Sequence, residues 1–585
     1  MNATVKPFSC ISLFSIFLLL PFCTMAQGLI IPAGAYVVAG NGNIVVKNNW
    51  VNDGSFTHNS GTVIFNGATQ TLSGSTATTF NNITILTGST STITSPGHKV
   101  KSVLLSNGIL NANGNLTLLS TAAQTAAVDG SGTGEVLGNL IVQRYIASGL
   151  GYKYLSSAFQ NDTVGDLAND MNLTGSFPSF YRHDESLAST GWVGYTTGSN
   201  PLIPLQGYAA NLGASTAAKT IDLKGVVNNH AVSRTLYNHN MAYTMGFSLV
   251  GNPYPSPIDW DAASGWTKTN IDNAVYYFNA STTDQYSGVY SSYINGVSSD
   301  GIAGSTIAAL QGFFVHVSNG SFPVTALLAT GNSVRILSPA ATFFRVYGQD
   351  EKPLIRLTAG FADETALVDP VTIYFSDATS GKKFNKELDA LKLMNSDNII
   401  PNLFAVTTDV EKVSIRALAP PVDSVAAVAL GLITKKAGWI LFNAKEIKNI
   451  PAGVDIYLTD METGLSQNLQ KEPAYRLLLP QGEYENRFFL EFRRKISAPV
   501  TSNGNSSLTC NAYSYGGNLY VNGGLASGEK AKLTVTDMLG QIVCRQDITG
   551  NSYQPVNTRF PQGVYVVSCM GPSKQFSKKI FIGSR

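Results

Sequence analysis

Charge is scarce in this chain of 585 residues. Asp, Glu, Lys and Arg make up 13% of it, against about 25% in an average globular protein. The formal net charge is only +2, so no excess of basic residues points to a nucleic-acid partner. Cysteine is scarcer still: there are five, and no two stand in a CxxC pair. The six histidines, His58, His98, His183, His230, His239 and His316, are scattered. Neither pattern supplies a metal site. A GxSxG elbow, HExxH, a Walker loop and GxGxxG are missing as well. The expectation is a protein without enzymatic activity or cofactor.

Long apolar runs are nearly absent too. Phe8 to Leu20 is the one candidate, preceded by Lys6 and ended by Pro21. It is too short to span a bilayer, which takes about 20 apolar residues. With small residues at Thr24 and Ala26, residues 1–26 read as a secretory signal peptide. Cys23 raises a lipoprotein anchor, but Phe22 before it is too bulky for that signal. The mature chain is expected to have no transmembrane segment and to leave the cytoplasm. It keeps Cys510, Cys544 and Cys569. Cys544 with Cys569 is the expected disulfide, three unpaired thiols being an equal alternative.

What the chain does have is glycine, 55 residues, and aromatics at 10%, too many for a disordered polymer. Short β-branched runs separated by Gly and Asn dominate, so the expected class is all-β and multidomain. Residues 27–147 come first. Between 28 and 147 only Lys47, Asp53, Lys99, Lys101, Asp129, Glu135 and Arg144 are charged. Runs begin at Ile44, Val63, Ile83 and Val103, steps of 19, 20 and 20 residues. That period suits a short parallel β-solenoid, whose coils bury their apolar faces by stacking; a flat β-sandwich is the alternative. With so few acids, a polysaccharide-cleaving solenoid is disfavoured.

Residues 148–345 contain an echo. Leu205-Gln206-Gly207-Tyr208-Ala209 returns 105 residues later as Leu310-Gln311-Gly312-Phe313-Phe314, which suggests two duplicated β-rich halves. Residues 346–495 carry a normal charge density and read as an independent β-sandwich, with one short helix at Lys383 to Asn395. Residues 496–509 are a Pro/Ser/Asn/Gly linker, and 510–585 form a small closing domain.

That last domain resembles the type A carboxy-terminal sorting domain of the type IX secretion system. Three segments carry the likeness. Leu533 to Val543 contains the strand, Asp-x-x-Gly turn (Asp537, Gly540) and strand. Gln562-Gly563-Val564-Tyr565 contains the Gly-x-Tyr strand. Lys578-Lys579-Ile580-Phe581-Ile582 is the closing Lys-Lys-hydrophobic strand. The resemblance implies an immunoglobulin-like β-sandwich and the type IX machinery as partner. It implies passage across the periplasm and outer membrane, then release or attachment to surface lipopolysaccharide. Segments around Leu249 to Trp260 and Leu458 to Gly464 are similar to large surface proteins exported this way. Adhesin or structural component is therefore the leading function, and a carbohydrate-binding or carbohydrate-degrading protein the runner-up.

The remaining candidates are groups of carboxylates and aromatics. Asp259 and Asp261 read best as a turn, with calcium or a helix cap as alternatives. Asp162, Asp166 and Asp170, four residues apart, suit a solvated helix face. Trp260, Tyr286 and Tyr290 form a possible glycan-stacking set, against the more common reading of strand aromatics in a core.

Overall fold

The computed structural model describes residues 28–337, 352–364, 367–378, 382–395, 397, 399–420, 426–494, 511–515, 518–525, 528–550, 553–556, 558–571 and 575–582. The expected signal peptide, Cys510, the expected 345/346 boundary and the expected linker lie outside them. Among the described residues there is no α-helix, only strands, turns and two 3-10 turns. The helix expected from Lys383 to Asn395 is instead a turn, with Leu388 and Asp389 N–H groups bonded to the Asn385 carbonyl, leading into the strand Ala390–Leu391. Two chain units are distinct: residues up to 119 with 132–141, and the remainder.

The first unit has the parallel coils expected from the period. Asn43–Val46, Thr62–Phe65, Thr79–Ile85 and His98–Ser106 pair in parallel. The apolar runs stack as a ladder, Ile44 on Val63 on Ile83 on Leu104. Sequence periodicity puts Val103 in the last place; a bulge between Val100 and Val103 slides the register by one residue. Val63, Ile83 and Leu104 are buried. Opposite them runs a second parallel sheet, in which Trp50 stacks on Leu72 and Leu72 on Ile93. Each coil contributes only a few apolar residues, so stacking is what removes them from water.

Between the two faces lies a buried polar seam. The Trp50 indole and the Asn52 amide both donate to Thr78 Oγ1 at 3.0 Å. The Thr78 N–H in turn donates to His98 Nδ1 at 3.1 Å. Burial holds the His98 imidazole below its usual range, so the ring is neutral and accepts at Nδ1. Glycine marks the corners where one coil crosses the next. A Cβ at Gly134 would sit 1.8 Å from the Gly108 carbonyl oxygen.

In the second unit, the two LQG segments occupy equivalent positions. Leu205 and Leu310 both take left-handed backbone, φ 63° and 58°, and both are buried. Each leads into an interior strand of a sheet, Gly207–Asn211 or Gly312–Val317. Each of those strands is flanked by an earlier strand, Tyr152–Ser156 or Phe247–Gly251, and by Phe180–His183 or Ile271–Ala280. The two halves also touch reciprocally, through bridges of Leu155 with Gln311 and Gln206 with Val250.

Residues 352–494 form one sheet of 11 strands. The strands carrying Phe442 and Phe488 are six places apart in its order, about 29 Å if the sheet were flat. Their rings lie 4.9 Å apart, so the sheet folds over and encloses its own core. This core is not independent of the preceding region. Tyr154, Phe247, Leu249, Tyr276 and Phe314 belong to the same buried cluster as Leu357, Phe375, Leu430 and Phe492. Polar bonds cross as well: Thr372 Oγ1 donates to the Ser298 and Ser299 carbonyls, and Arg356 Nε to Ser298. The normal charge density of 346–495 thus reflects its outer surface, not an uninterrupted one.

The last described strands form two antiparallel sheets, of three and four strands, around Leu519, Val521, Leu533, Val535, Val567 and Ile582.

Candidate functional sites

Two places on the chain have functional geometry, the carboxy-terminal domain and an open cleft in residues 152–286.

In the carboxy-terminal domain the Asp-x-x-Gly turn is closed by its own residues. Asp537 Oδ1 accepts the N–H groups of Leu539 and Gln541, both at 2.9 Å. Gly540 adopts φ 82°, a left-handed conformation that a side chain disfavours. Tyr565 is buried, pairs with Asp537 across the sheet, and donates its hydroxyl to the Pro561 carbonyl at 2.8 Å. Gly563 opens the same strand opposite Ile582. Lys578 and Lys579 lie on the outermost strand, Gln575–Ile582, and are exposed. Met538 and Leu539 project from the hairpin tip, Leu539 with 86% of its surface exposed.

The expected disulfide is not formed. Cys544 and Cys569 lie on Ile542–Thr549 and Gly563–Met570, with Lys530–Asp537 between them. Two strand spacings are about 9–10 Å, well beyond the roughly 4.4–6.8 Å that a disulfide spans between Cα atoms. Strand order separates the two thiols.

The proposed stacking aromatics divide. Trp260 is fully buried, its indole N–H donating to the Asn273 carbonyl at 2.9 Å, with the Lys268 ammonium 3.7 Å above the ring. Tyr290 is packed among Tyr154, Phe278 and Phe314 and shares a 2.6 Å hydrogen bond between its hydroxyl and that of Tyr154. Burial pushes its phenol up to about 12. Trp260 is a core residue, and Tyr290 is partly buried with its ring packed against the core. Tyr286 alone is exposed, at 67%.

Tyr286 borders a cleft of about 920 Å³. Part of its lining comes from the four-stranded sheet that contains Gly207–Asn211. Tyr152 and Tyr181 stand on the two strands flanking Gly207–Asn211, their ring centroids 6.3 Å apart. Asn211 ends the strand between them. On one side a loop presents Phe177, 84% exposed. On the other, Tyr286 sits on a turn organised by Asp284, whose Oδ1 accepts the Tyr286 and Ser287 N–H groups at 2.7 and 2.8 Å. The Ser287 bonds hold the Asp284 carboxyl below its ordinary range. Gly151 lets that turn approach: its φ is 73°, and a Cβ there would lie 2.8 Å from the Gln285 carbonyl oxygen.

The three aspartates of the four-residue series part company because no helix carries them. Asp162 is buried, accepting the Ser157 hydroxyl at 2.6 Å. Asp166 caps the short 3-10 turn Val164–Leu167 by accepting the Thr163 N–H. Only Asp170 reaches the cleft, its carboxyl pushed up to about 6 by burial. Beside it the Lys219 ammonium donates to the Asp170 and Leu212 carbonyls at 3.1 and 2.9 Å. Asp259 and Asp261 form a turn, Asp259 Oδ1 accepting the Asp261 N–H at 3.1 Å, while Asp261 accepts the Tyr293 hydroxyl.

A Ser–Asp–His group also occurs, with Asp272 and His316 buried and Ser318 partly buried. His316 Nδ1 lies 2.6 Å from Asp272 Oδ2, and Ser318 Oγ donates to the other oxygen at 2.6 Å. The hydroxyl is on the carboxylate instead of the imidazole, so the serine lacks the Ser–His contact of a nucleophilic triad. The cleft residues Tyr152 and Tyr181 were not singled out from the sequence, since only sheet pairing brings them together across 29 residues.

The comparisons with known proteins agree with the first of these sites. Residues 517–583 match the family described as "Secretion system C-terminal sorting domain", which places export through the type IX system, to the cell surface or the medium, on firm ground. No curated protein matches the chain. A solved "Biofilm associated protein - BSP domain" is 12% identical, with 76% of this chain and 92% of that one covered and a TM-score of 0.17. Over residues 39–492, most of its length, the chain belongs to the family described as "Domain of unknown function (DUF8693)".

Proposed function

We propose that the chain is an adhesin-type or structural component of the cell envelope, without catalytic activity of its own. The observation that carries this reading is the sorting domain at 517–583, because it delivers everything before it to the exterior. The charge-poor parallel solenoid supports it, since such a scaffold presents a long, regular surface at little cost in sequence information. The Ser318 hydroxyl, turned to Asp272 and away from His316, supports the non-catalytic part. Attachment to surface lipopolysaccharide is proposed as the mode of retention.

The test follows the protein in its host with residues 517–583 present or deleted. The expected result is full-length product at the surface or in the medium, and the deletion variant held in the periplasm. Equal distribution of the two forms would overturn the reading. Protease shaving of intact cells, with and without lipopolysaccharide truncation, checks the anchoring part.

A further inference from the structure

We propose that the cleft between Tyr152, Phe177, Tyr181 and Tyr286 binds a neutral glycan chain. This rests on the adhesin reading and names a ligand class for it.

The cleft volume, about 920 Å³, falls within the roughly 300–1,000 Å³ of small-ligand sites. Its aromatics are arranged in two ways. Tyr152 and Tyr181 are half-buried and fixed on neighbouring strands of one sheet. Phe177 and Tyr286 stand at the edge with most of their surface in water. Ring faces are the surfaces that pack on the apolar C–H faces of a sugar, and water is displaced from both.

Between the rings the lining is amide: Asn172, Asn211 and Gln285. A carboxamide offers a donor and an acceptor side by side, which matches a pair of sugar hydroxyls. Asn172 and Asn211 are already oriented, since each uses its Oδ1 to accept a backbone N–H, from Thr174 and Gly213 at 3.0 Å. Their NH2 groups have no hydrogen-bond partner among the described residues, which leaves donors for a ligand.

Charge selects against an acidic glycan or a phosphate. The lining has one cation, Lys219, and one carboxylate, Asp170. The ammonium is engaged by two backbone carbonyls and is therefore committed to the wall. The lining mixes rings with the carboxamides of Asn169, Asn172, Asn211 and Gln285, which suits a hydroxylated polymer better than the apolar side chains of a peptide.

The mature full-length chain is run by affinity electrophoresis through gels holding a soluble β-glucan, a galactomannan, a xylan or, as the acidic member, alginate. Phe177→Ala and Tyr286→Ala remove exposed side chains and are expected to leave the circular dichroism spectrum unchanged. Tyr243→Ala, 68% exposed and outside the lining, is the control. The expected result is retardation by at least one neutral polysaccharide, weakened about tenfold in each cleft variant, as the loss of one stacked ring implies, and unaltered in the control. Retardation by none of the neutral polymers, by alginate alone, or equally in all variants would overturn the proposal. Export is read by fractionation, so a cleft that fails this test leaves the envelope reading standing, and the reverse.

Discussion

Asp162 shows how a single buried group sets a pH dependence. Its Oδ1 has no hydrogen-bond partner among the described residues, and burial pushes the carboxyl up to about 7 from 3.8. A raised carboxyl binds its proton more tightly folded than unfolded. The stabilisation is therefore complete below about pH 4 and is lost as pH rises through about 7. Asp162→Asn carries no charge at any pH. Its stability relative to the natural chain should grow from pH 4 to pH 8 by up to about 4 kcal/mol, at 1.36 kcal/mol per unit. Chemical denaturation of both proteins across that range measures it, and parallel curves would refute it. Lys392 makes the complementary case. Its ammonium lies 2.6 Å from both oxygens of the buried Asp369. Lys392→Met leaves that carboxylate uncompensated, at a cost of about 3–5 kcal/mol. The double variant Asp369→Asn/Lys392→Met should recover most of the loss.

At the scale of the element, the solenoid coils depend on their neighbours. Ile83 sits between Val63 and Leu104 in the apolar ladder. Ile83→Ala should cost about 2–5 kcal/mol, because the coils on either side cannot close independently. The loss is read as an earlier transition of the solenoid in thermal unfolding, and an unchanged midpoint would show that the ladder is not continuous. Gly134→Ala should be worse than its size suggests, since the added carbon meets a backbone carbonyl of the adjacent coil. The ladder itself is legible in the sequence, because a 20-residue period is a local signal. Its last step is not, because the bulge at Val100–Val103 answers to packing.

For the whole molecule, the shared core makes residues 148–337 and 352–494 interdependent. Buried residues of both line one cluster, so a fragment ending at 345 would expose Phe247, Tyr276 and Phe314 from one side. That fragment should be poorly soluble and bind a hydrophobic dye, whereas the chain through 494 should not. A monomeric, dye-negative fragment would show that the first region folds alone. This shared core is not legible in the sequence. A change of surface charge density marks where composition shifts, not where apolar faces meet, and the apolar faces of 148–345 look the same in sequence whether they meet each other or a third sheet.

The sequence by itself determined the strand class, the solenoid period, the repeated LQG segments and the sorting domain. Each rests on residues close together in the chain, where spacing and turn chemistry act directly. Only the tertiary structure decided which aromatics line a surface and which fill a core. Trp260 went inside, Tyr290 packs half-buried against the core and Tyr286 stayed out, although the two tyrosines are only four residues apart. It also decided that Cys544 and Cys569 stand apart and that Tyr152 meets Tyr181. These outcomes depend on the order of strands in a sheet, which is set by packing between segments distant in the chain.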